Sequence, residues 1–546
     1  MKKIFSFIEK YYTVPVALAA LYFARFVYFY TMVNVGVNFD SPQIFHNEHV
    51  LWDVLISIVL IVAGTAVCRF IRFKKTILAS NVIRVTLMVV LAVSVFRFIS
   101  HSDPQLLKED SAVCYSAASA IDKGQYAVIQ EGGYVYRFPN MLGVISMNRL
   151  FFRIFGDGNE QGYYYYNALM LLLTVWFGAA FIRMVICGKD FRGKVLGDGS
   201  GMPDEKTEKI SFVAESLWMI FAVFNFSLQI LVLFRYGDMT QLASLMIAFY
   251  CAVRYLKTGK VWLHIAVLAV LSLGVLVREN TLVGCIALLI FYLLDGVRTE
   301  KWKRALILML TVVLVMIVPS RVQRSCYESL AGEKINGIPY IAWIAMGMQE
   351  NSYAGPGWFN SYNWMIFDDF GGAEGAEAES RAYIRERLRQ FADDPGMMID
   401  FYRRKLVTQW ADPTYGALDH IAFGENADPF YAQSTGQSDS GNIRQQHLMR
   451  FLGVLQRFAY LGGAVFMIVF AVQGFIKNGK RPDDMMLILI ALTGGVLFSL
   501  FWEAKSRYVV GWFEFILLCA SLGYSYLFIL AGDRITRGLK KKRKTE

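Results

Sequence analysis

Residues 303–319 read KRALILMLTVVLVMIVP, and after Arg304 no charged residue appears until Arg321. The run lacks the polar/apolar alternation of a half-buried strand. Its length approaches the roughly 20 apolar residues that a helix needs to cross a hydrocarbon core. Comparable blocks lie at about 11–33, 50–68, 81–99, 164–187, 212–234, 239–257, 261–277, 280–297, 450–476, 484–502 and 509–531. Of the 546 residues 55% are hydrophobic and 18% charged, which excludes an ordinary soluble protein. A transmembrane barrel would require a period-two pattern that is absent. The expected fold is therefore an all-α polytopic membrane protein with about 12 transmembrane helices.

The formal net charge of +11 could point to nucleic acid, but its distribution points to membrane topology. With the start of the chain inside, one threading puts every short basic loop on the inner side. These are Arg69 to Lys75, Lys189 to Lys209, Arg254 to Lys260, Arg298 to Arg304, Lys477 to Arg481 and the tail Lys540 to Lys544. A multi-pass plasma-membrane protein with both termini cytoplasmic is expected, with membrane lipids as partners and no nucleic acid. Met1 to Lys10 reads as a retained cytoplasmic start and not as a signal peptide. The seven cysteines form no visible disulfide framework. Gly197, Gly199 and Gly201 lie in an inner loop without a preceding strand, so the loop reads as a linker and not as a nucleotide fingerprint.

Six segments follow. Residues 1–99 hold the N-terminal transmembrane helices, 100–163 a first external loop, 164–319 the central helices, 320–449 a second external segment, 450–531 the last helices and 532–546 a basic cytoplasmic tail. In the first loop, Asp110 opens an amphipathic pattern that stops at Gly124, and a second pattern runs from Pro139 to Gly156. Both suit interfacial helices. In the second external segment, helices are expected at roughly 377–392 and 397–410, separated by Asp394-Pro395-Gly396.

Polar residues collect at the outer face. They are Asp103, Glu109, Asp110, Asp238, Arg278-Glu279-Asn280 and, before the last span, Glu503, Lys505, Arg507 and Tyr508. A carboxylate and several cations at one depth suit an anionic group beside a base. The plainer readings make Asp110 and Asp238 helix caps, and Arg278 and Arg507 interfacial anchors paired with Glu279 and Glu503. Arg149 and Arg153 read as contacts to lipid headgroups. His46, His49 and His101 lack the carboxylates and spacing of a metal site.

Taken in order, these pieces carry a resemblance. Asp110 to Gly124, Gly133-Tyr134 and Tyr136-Arg137-Phe138-Pro139-Asn140 with Gly143 resemble the first external loop of bacterial GT-C membrane glycosyltransferases. So, in order, do Tyr236-Gly237-Asp238, Arg278-Glu279-Asn280, Gly355-Pro356-Gly357-Trp358-Phe359-Asn360 and Trp502-Glu503-Ala504-Lys505-Ser506-Arg507-Tyr508. The superfamily is related to the dolichyl-phosphate-mannose protein mannosyltransferases. The resemblance implies a GT-C-like fold and transfer of a sugar from a polyprenyl-phosphate donor, with inversion, to a glycan, lipid or cell-wall polymer acceptor outside the membrane.

By that resemblance Asp110 is the base, with Asp103 as a rival and Asp238 as a further catalytic candidate. Glu109 precedes Asp110 and Tyr115 follows five residues on, a departure from the usual Asp-Glu pair close to a tyrosine. Arg278, Lys505 and Arg507 would hold the donor phosphate, supported by Glu109, Tyr115, Glu279, Glu503 and Tyr508. Glu503 is expected one helical turn before Arg507. Some relatives use a divalent cation, so the resemblance leaves room for one between Asp110 and the phosphate and assigns it no further ligand. A carboxylate suits the chemistry, because a sugar hydroxyl attacks poorly until something accepts its proton, whereas a leaving phosphate needs only charge stabilisation. A polysaccharide polymerase or ligase would take similar substrates. A flippase or transporter would need ionisable residues inside spans, where Glu215 is the main one.

Overall fold

The computed structural model describes residues 2–34, 41–70, 76–101, 106–107, 109–157, 159–190, 194–196, 204–351, 354–418, 421–422, 439–476 and 482–545. It is 81% helical. Ten of its helices are long and apolar enough to cross a membrane, as expected of an all-α polytopic protein.

The chain begins with α1 (Lys2–Phe29), α2 (Val50–Phe70) and α3 (Thr76–His101). The first external loop carries α4 (Glu109–Asp122), α5 (Tyr134–Arg137) and α6 (Leu142–Phe155). The central body is α7 (Gln161–Cys187), α8 (Glu205–Phe224), α9 (Phe226–Leu231), α10 (Asp238–Thr258), α11 (Val261–Val277), α12 (Thr281–Thr299) and α13 (Trp302–Ala331). The second external segment forms α14 (Tyr340–Gly347), α15 (Tyr362–Asp369), α16 (Ala373–Asp393) and α17 (Pro395–Trp410). The chain closes with α18 (Asp439–Phe475), α19 (Met486–Phe501) and α20 (Val510–Thr545).

Burial separates centre from rim. The spans of α10 and α20 are 78% and 72% buried, whereas those of α2 and α13 are 11% and 22% buried and turn apolar surface outward. The outer helices therefore satisfy their apolar side chains with lipid and the inner ones with each other. Ion pairs mark one end of the bundle: Arg298 with Glu9 at 2.9 Å, Arg254 with Asp190 at 3.2 Å, Lys257 with Asp484 at 2.7 Å, and Arg304 with Asp295. Asp110, Asp238 and Arg278 lie at the other end, beside the external helices. Between the ends, Glu215 of α8 is neutralised by Arg84 of α3 and by Arg183 of α7 at 2.9 Å, so its burial is balanced by charge.

Three boundaries differ from the sequence expectation. The block at 212–234 is interrupted at Asn225, whose backbone leaves the helical region (φ −81°, ψ 76°), and α9 ends at Leu231. Asparagine competes with the helix through its own side chain, which makes it a natural break. α1 ends at Phe29, and Tyr30–Asn34 forms β1, paired antiparallel with β2 (Pro42–His46). Met32, buried against Trp358 and Ala504, draws this strand into the external layer, and its N–H donates to the Ala411 carbonyl at 3.0 Å. α13 continues beyond residue 319 to Ala331 and passes through Pro319. The two external helices of the second segment start close to where periodicity put them. Asp394 caps α17 by accepting from Met397 N–H at 3.0 Å, and Pro395 fills the first turn.

The two ends of the bundle are expected on opposite sides of the membrane. In a background with the exposed Cys326 replaced, Glu131→Cys and Ala378→Cys should react with an impermeant maleimide in intact cells. Glu205→Cys and Lys301→Cys should react only after permeabilisation, and labelling of all four in intact cells would break the two-ended arrangement.

Candidate active site

The turn Phe234 to Asp238 links α9 to α10 and is the centre of the candidate site. Gly237 makes it possible. Its φ is +90°, and a Cβ there would lie 2.7 Å from Val277 Cγ1, so both conformation and space call for glycine. The turn buries Tyr236, whose hydroxyl donates to Asp110 Oδ2 at 2.9 Å, while Tyr134 donates to Oδ1 at 2.7 Å. Burial and the neighbouring carboxylate push both phenols well above their ordinary range, so they remain donors. Asp110 is the second residue of α4, and its oxygens serve two tyrosines instead of the helix start. The reading of Asp110 as a cap alone is thereby corrected.

Two guanidiniums lie over the Tyr236 ring, Arg507 at 4.5 Å and Arg278 at 4.8 Å from its centroid. Arg507 also lies 4.5 Å from the Phe234 ring, and Arg278 5.3 Å from that of Tyr508. Cation–π contacts of this kind contribute about 0.5–2 kcal/mol each and fix guanidiniums that would otherwise swing. Arg278 pairs with Asp238 at 3.2 Å. Glu279 instead accepts from Tyr340 at 3.1 Å, which corrects the expected pairing of Arg278 with Glu279.

In front of this stack opens a cleft of about 850 Å³. Asp110, Tyr134, Arg137, Asn140, Tyr236, Trp343, Asn360, Glu503, Lys505, Arg507 and Tyr508 all line it. The order of motifs along the chain thus becomes one cavity. Asp238 and Arg278 sit behind it, buried, and are absent from its lining. Tyr115 packs elsewhere, with Arg235 4.3 Å from its ring. Glu109 opens α4, and Asp103 lies outside the described residues. Arg149 and Arg153, expected to meet lipid headgroups, both pair with Asp122, at 2.7 and 3.5 Å.

Glu503 and Arg507 do not share a helical turn. α19 stops at Phe501, Lys505 is extended (φ −158°, ψ 134°), and Arg507 rides on a short 3-10 turn, Ser506–Val509. The second external segment holds this loop. Lys405 is buried and donates to the carbonyls of Leu500 at 2.9 Å, Trp502 at 2.7 Å and Gly347. Burial draws its pKa down while Glu503 opposes the fall. Ala504 N–H donates to Gly357 O at 2.7 Å, across a position where φ is +75° and a Cβ would lie 2.6 Å from Gly347 O. Asp412, buried and raised by that burial, accepts from Thr414 N–H at 2.8 Å, from Gly416 N–H at 2.7 Å and from the Ser506 hydroxyl.

Sequence reading did not single out Lys405, Asp412 or Trp343. The available signal for Lys405 was a lysine on the same helical face as Phe401, where a solvated charge would not be expected. Among the described residues no three His, Cys, Asp or Glu side chains gather as metal ligands. In the cleft both Asp110 oxygens already accept from tyrosines. With Glu503 the one other carboxylate lining the cleft among the described residues, that donor set is too small for a divalent ion held by the protein. Comparison with known proteins is silent: no family model matches the chain, and no curated protein is significantly similar to it.

Lys405→Met keeps the side-chain length but leaves three buried carbonyls without their donor. It is expected to lower stability by about 3 kcal/mol. Chemical unfolding of the detergent-solubilised protein checks this, and an unchanged midpoint would show that the Lys405 contacts do not hold the loop.

Proposed function

We propose that the chain is a GT-C-type membrane glycosyltransferase that moves a sugar from a polyprenyl-phosphate donor to an envelope glycan, lipid or polymer on the outer side of the plasma membrane. The supporting observation is the Asp110 carboxylate, held by two tyrosine hydroxyls and facing a cleft that Lys505 and Arg507 also line. In this reading twelve segments cross the membrane. α8 with α9, and α11, complete the ten longer helices, and both termini are cytoplasmic.

The reaction follows from the placement of charge. An acceptor hydroxyl gives its proton to Asp110 as its oxygen bonds to the anomeric carbon. The anomeric C–O bond to phosphate breaks on the opposite side, and configuration inverts. Lys505 and Arg507 stabilise the departing polyprenyl phosphate, for which an arginine fork is well suited. Tyr134 and Tyr236 hold the carboxylate in position, and Arg278 with Asp238 supports Tyr236 from behind. Trp343, stacked on Trp502 at 5.8 Å between ring centroids, offers an aromatic wall to a sugar. A polymerase or ligase would use the same cleft. A flippase would need ionisable residues inside spans: Glu215 is paired there with Arg84 and Arg183, whereas Glu514 of α20 is buried with neither carboxylate oxygen hydrogen-bonded among the described residues.

Purified protein, incubated in detergent with a panel of polyprenyl-phosphate sugars, should release sugar from one of them. Asp110→Asn retains shape and hydrogen bonding but accepts no proton, so the initial rate should fall by about 100-fold or more at an unchanged melting temperature. A near-normal rate in Asp110→Asn would move the base elsewhere, with Asp103→Asn as the next variant. Arg507→Lys should weaken apparent donor affinity by about 1–3 kcal/mol, because the lysine retains charge and loses the fork. An unchanged donor dependence would remove Arg507 from the phosphate site.

A further inference from the structure

A second opening adjoins the cleft. It is a groove of about 430 Å³ that shares Asn140 and Trp343 with the larger cavity. Its lower wall is apolar and comes from transmembrane helices: Val275 and Leu276 of α11, Leu282 of α12, and Met316 and Ile317 of α13. One turn further along α13 the wall becomes polar, with Ser320, Arg321, Gln323 and Arg324. Pro319 falls at this change. It lacks an N–H and leaves the carbonyl one turn earlier without its ladder partner, loosening the helix where the groove opens.

Charge and shape together define an occupant. Arg324 is engaged, donating to the Ile335 carbonyl and lying 3.4 Å from Glu328, whereas exposed Arg321 makes no ion pair among the described residues. Glu279, the carboxylate in the groove, is already taken by Tyr340. The groove thus joins an apolar wall built from α11, α12 and α13 to a polar mouth with an available cation, which matches a chain-bearing lipid with an anionic head. Where groove meets cleft, the buried carboxamide oxygen of Asn140 has no hydrogen-bond partner and is suited to a hydroxyl donor.

We infer that this groove seats the acceptor as a second anionic amphiphile, its head at Arg321 and its reacting hydroxyl passing Asn140 toward Asp110. The assignment as acceptor rests on the transferase reading. The binding of an anionic amphiphile does not. The cleft has its own cations, Lys505 and Arg507, which do not line the groove, so each phosphate-type head has a separate cation to meet.

The test is photolabelling of the full-length protein in phosphatidylcholine nanodiscs with a diazirine-bearing farnesyl phosphate, read by peptide mapping. Label should appear both on the stretch 314–324 and on 502–508. Excess farnesyl phosphate should compete at both, while farnesol and inorganic phosphate should not compete at the groove. Arg321→Glu should reduce groove label by about tenfold and spare cleft label, the loss expected when an attractive charge is reversed. Arg507→Lys should do the converse, and Lys505→Ala gives the same comparison if the first variant unfolds. Asp110→Asn should leave groove label intact, so loss of transfer and loss of groove binding are read separately. Absence of groove label, label indifferent to Arg321→Glu, or equal competition by farnesol or inorganic phosphate would overturn the site. If each variant removes both labels, one lipid occupies both cavities and the acceptor assignment falls.

Discussion

The candidate site depends on a single tyrosine. The Tyr236 ring meets two guanidiniums and its hydroxyl meets the Asp110 carboxylate, so one side chain sets the spacing between a carboxylate and two cations. Without the ring, those opposite charges would be free to collapse into a direct ion pair, and a carboxylate so paired is a weaker proton acceptor. The phenol instead holds Asp110 through a neutral donor. This requires Tyr236 to be buried, and its burial requires the left-handed glycine that follows it and the break in the helix that precedes it.

The second constraint is mechanical. Arg507 and Lys505 lie on a stretch that is neither α19 nor α20, and an irregular loop at a membrane boundary leaves backbone groups to be satisfied. The second external segment satisfies them. Lys405 grips carbonyls from α19, from the loop and from α14, while Asp412 holds the 3-10 turn through Ser506. The external helices are therefore part of the site's framework, and the strand after α1 adds to it through Met32, Trp358 and Ala504.

Much of this was legible in the chain. Long apolar blocks have one economical solution in lipid, because a helix satisfies its own backbone. The external helices α16 and α17 were legible too, since Asp394 and Pro395 are local start signals that act without tertiary help. The interruption at Asn225, the strand at Tyr30–Asn34 and the extension of α13 to Ala331 were not. Each depends on what the segment packs against: hydropathy averages over a single Asn, reads Met32 and Val33 as more helix, and stops at the first polar turn after Pro319.

The sequence by itself determined the class of fold, the alternation of the helices between two ends, and the set of polar motifs at one of those ends. These follow from hydrophobic length and local capping, properties of contiguous residues. Only the tertiary structure decided which motifs share a cavity. Asp110, Tyr236 and Arg507 are separated by more than a hundred residues at each step, and nothing local relates Asp238 to Arg278 or Lys405 to Trp502. Their pairing arises from helix packing and from the need of each buried polar group for a partner, a requirement imposed by the whole bundle and by no single segment.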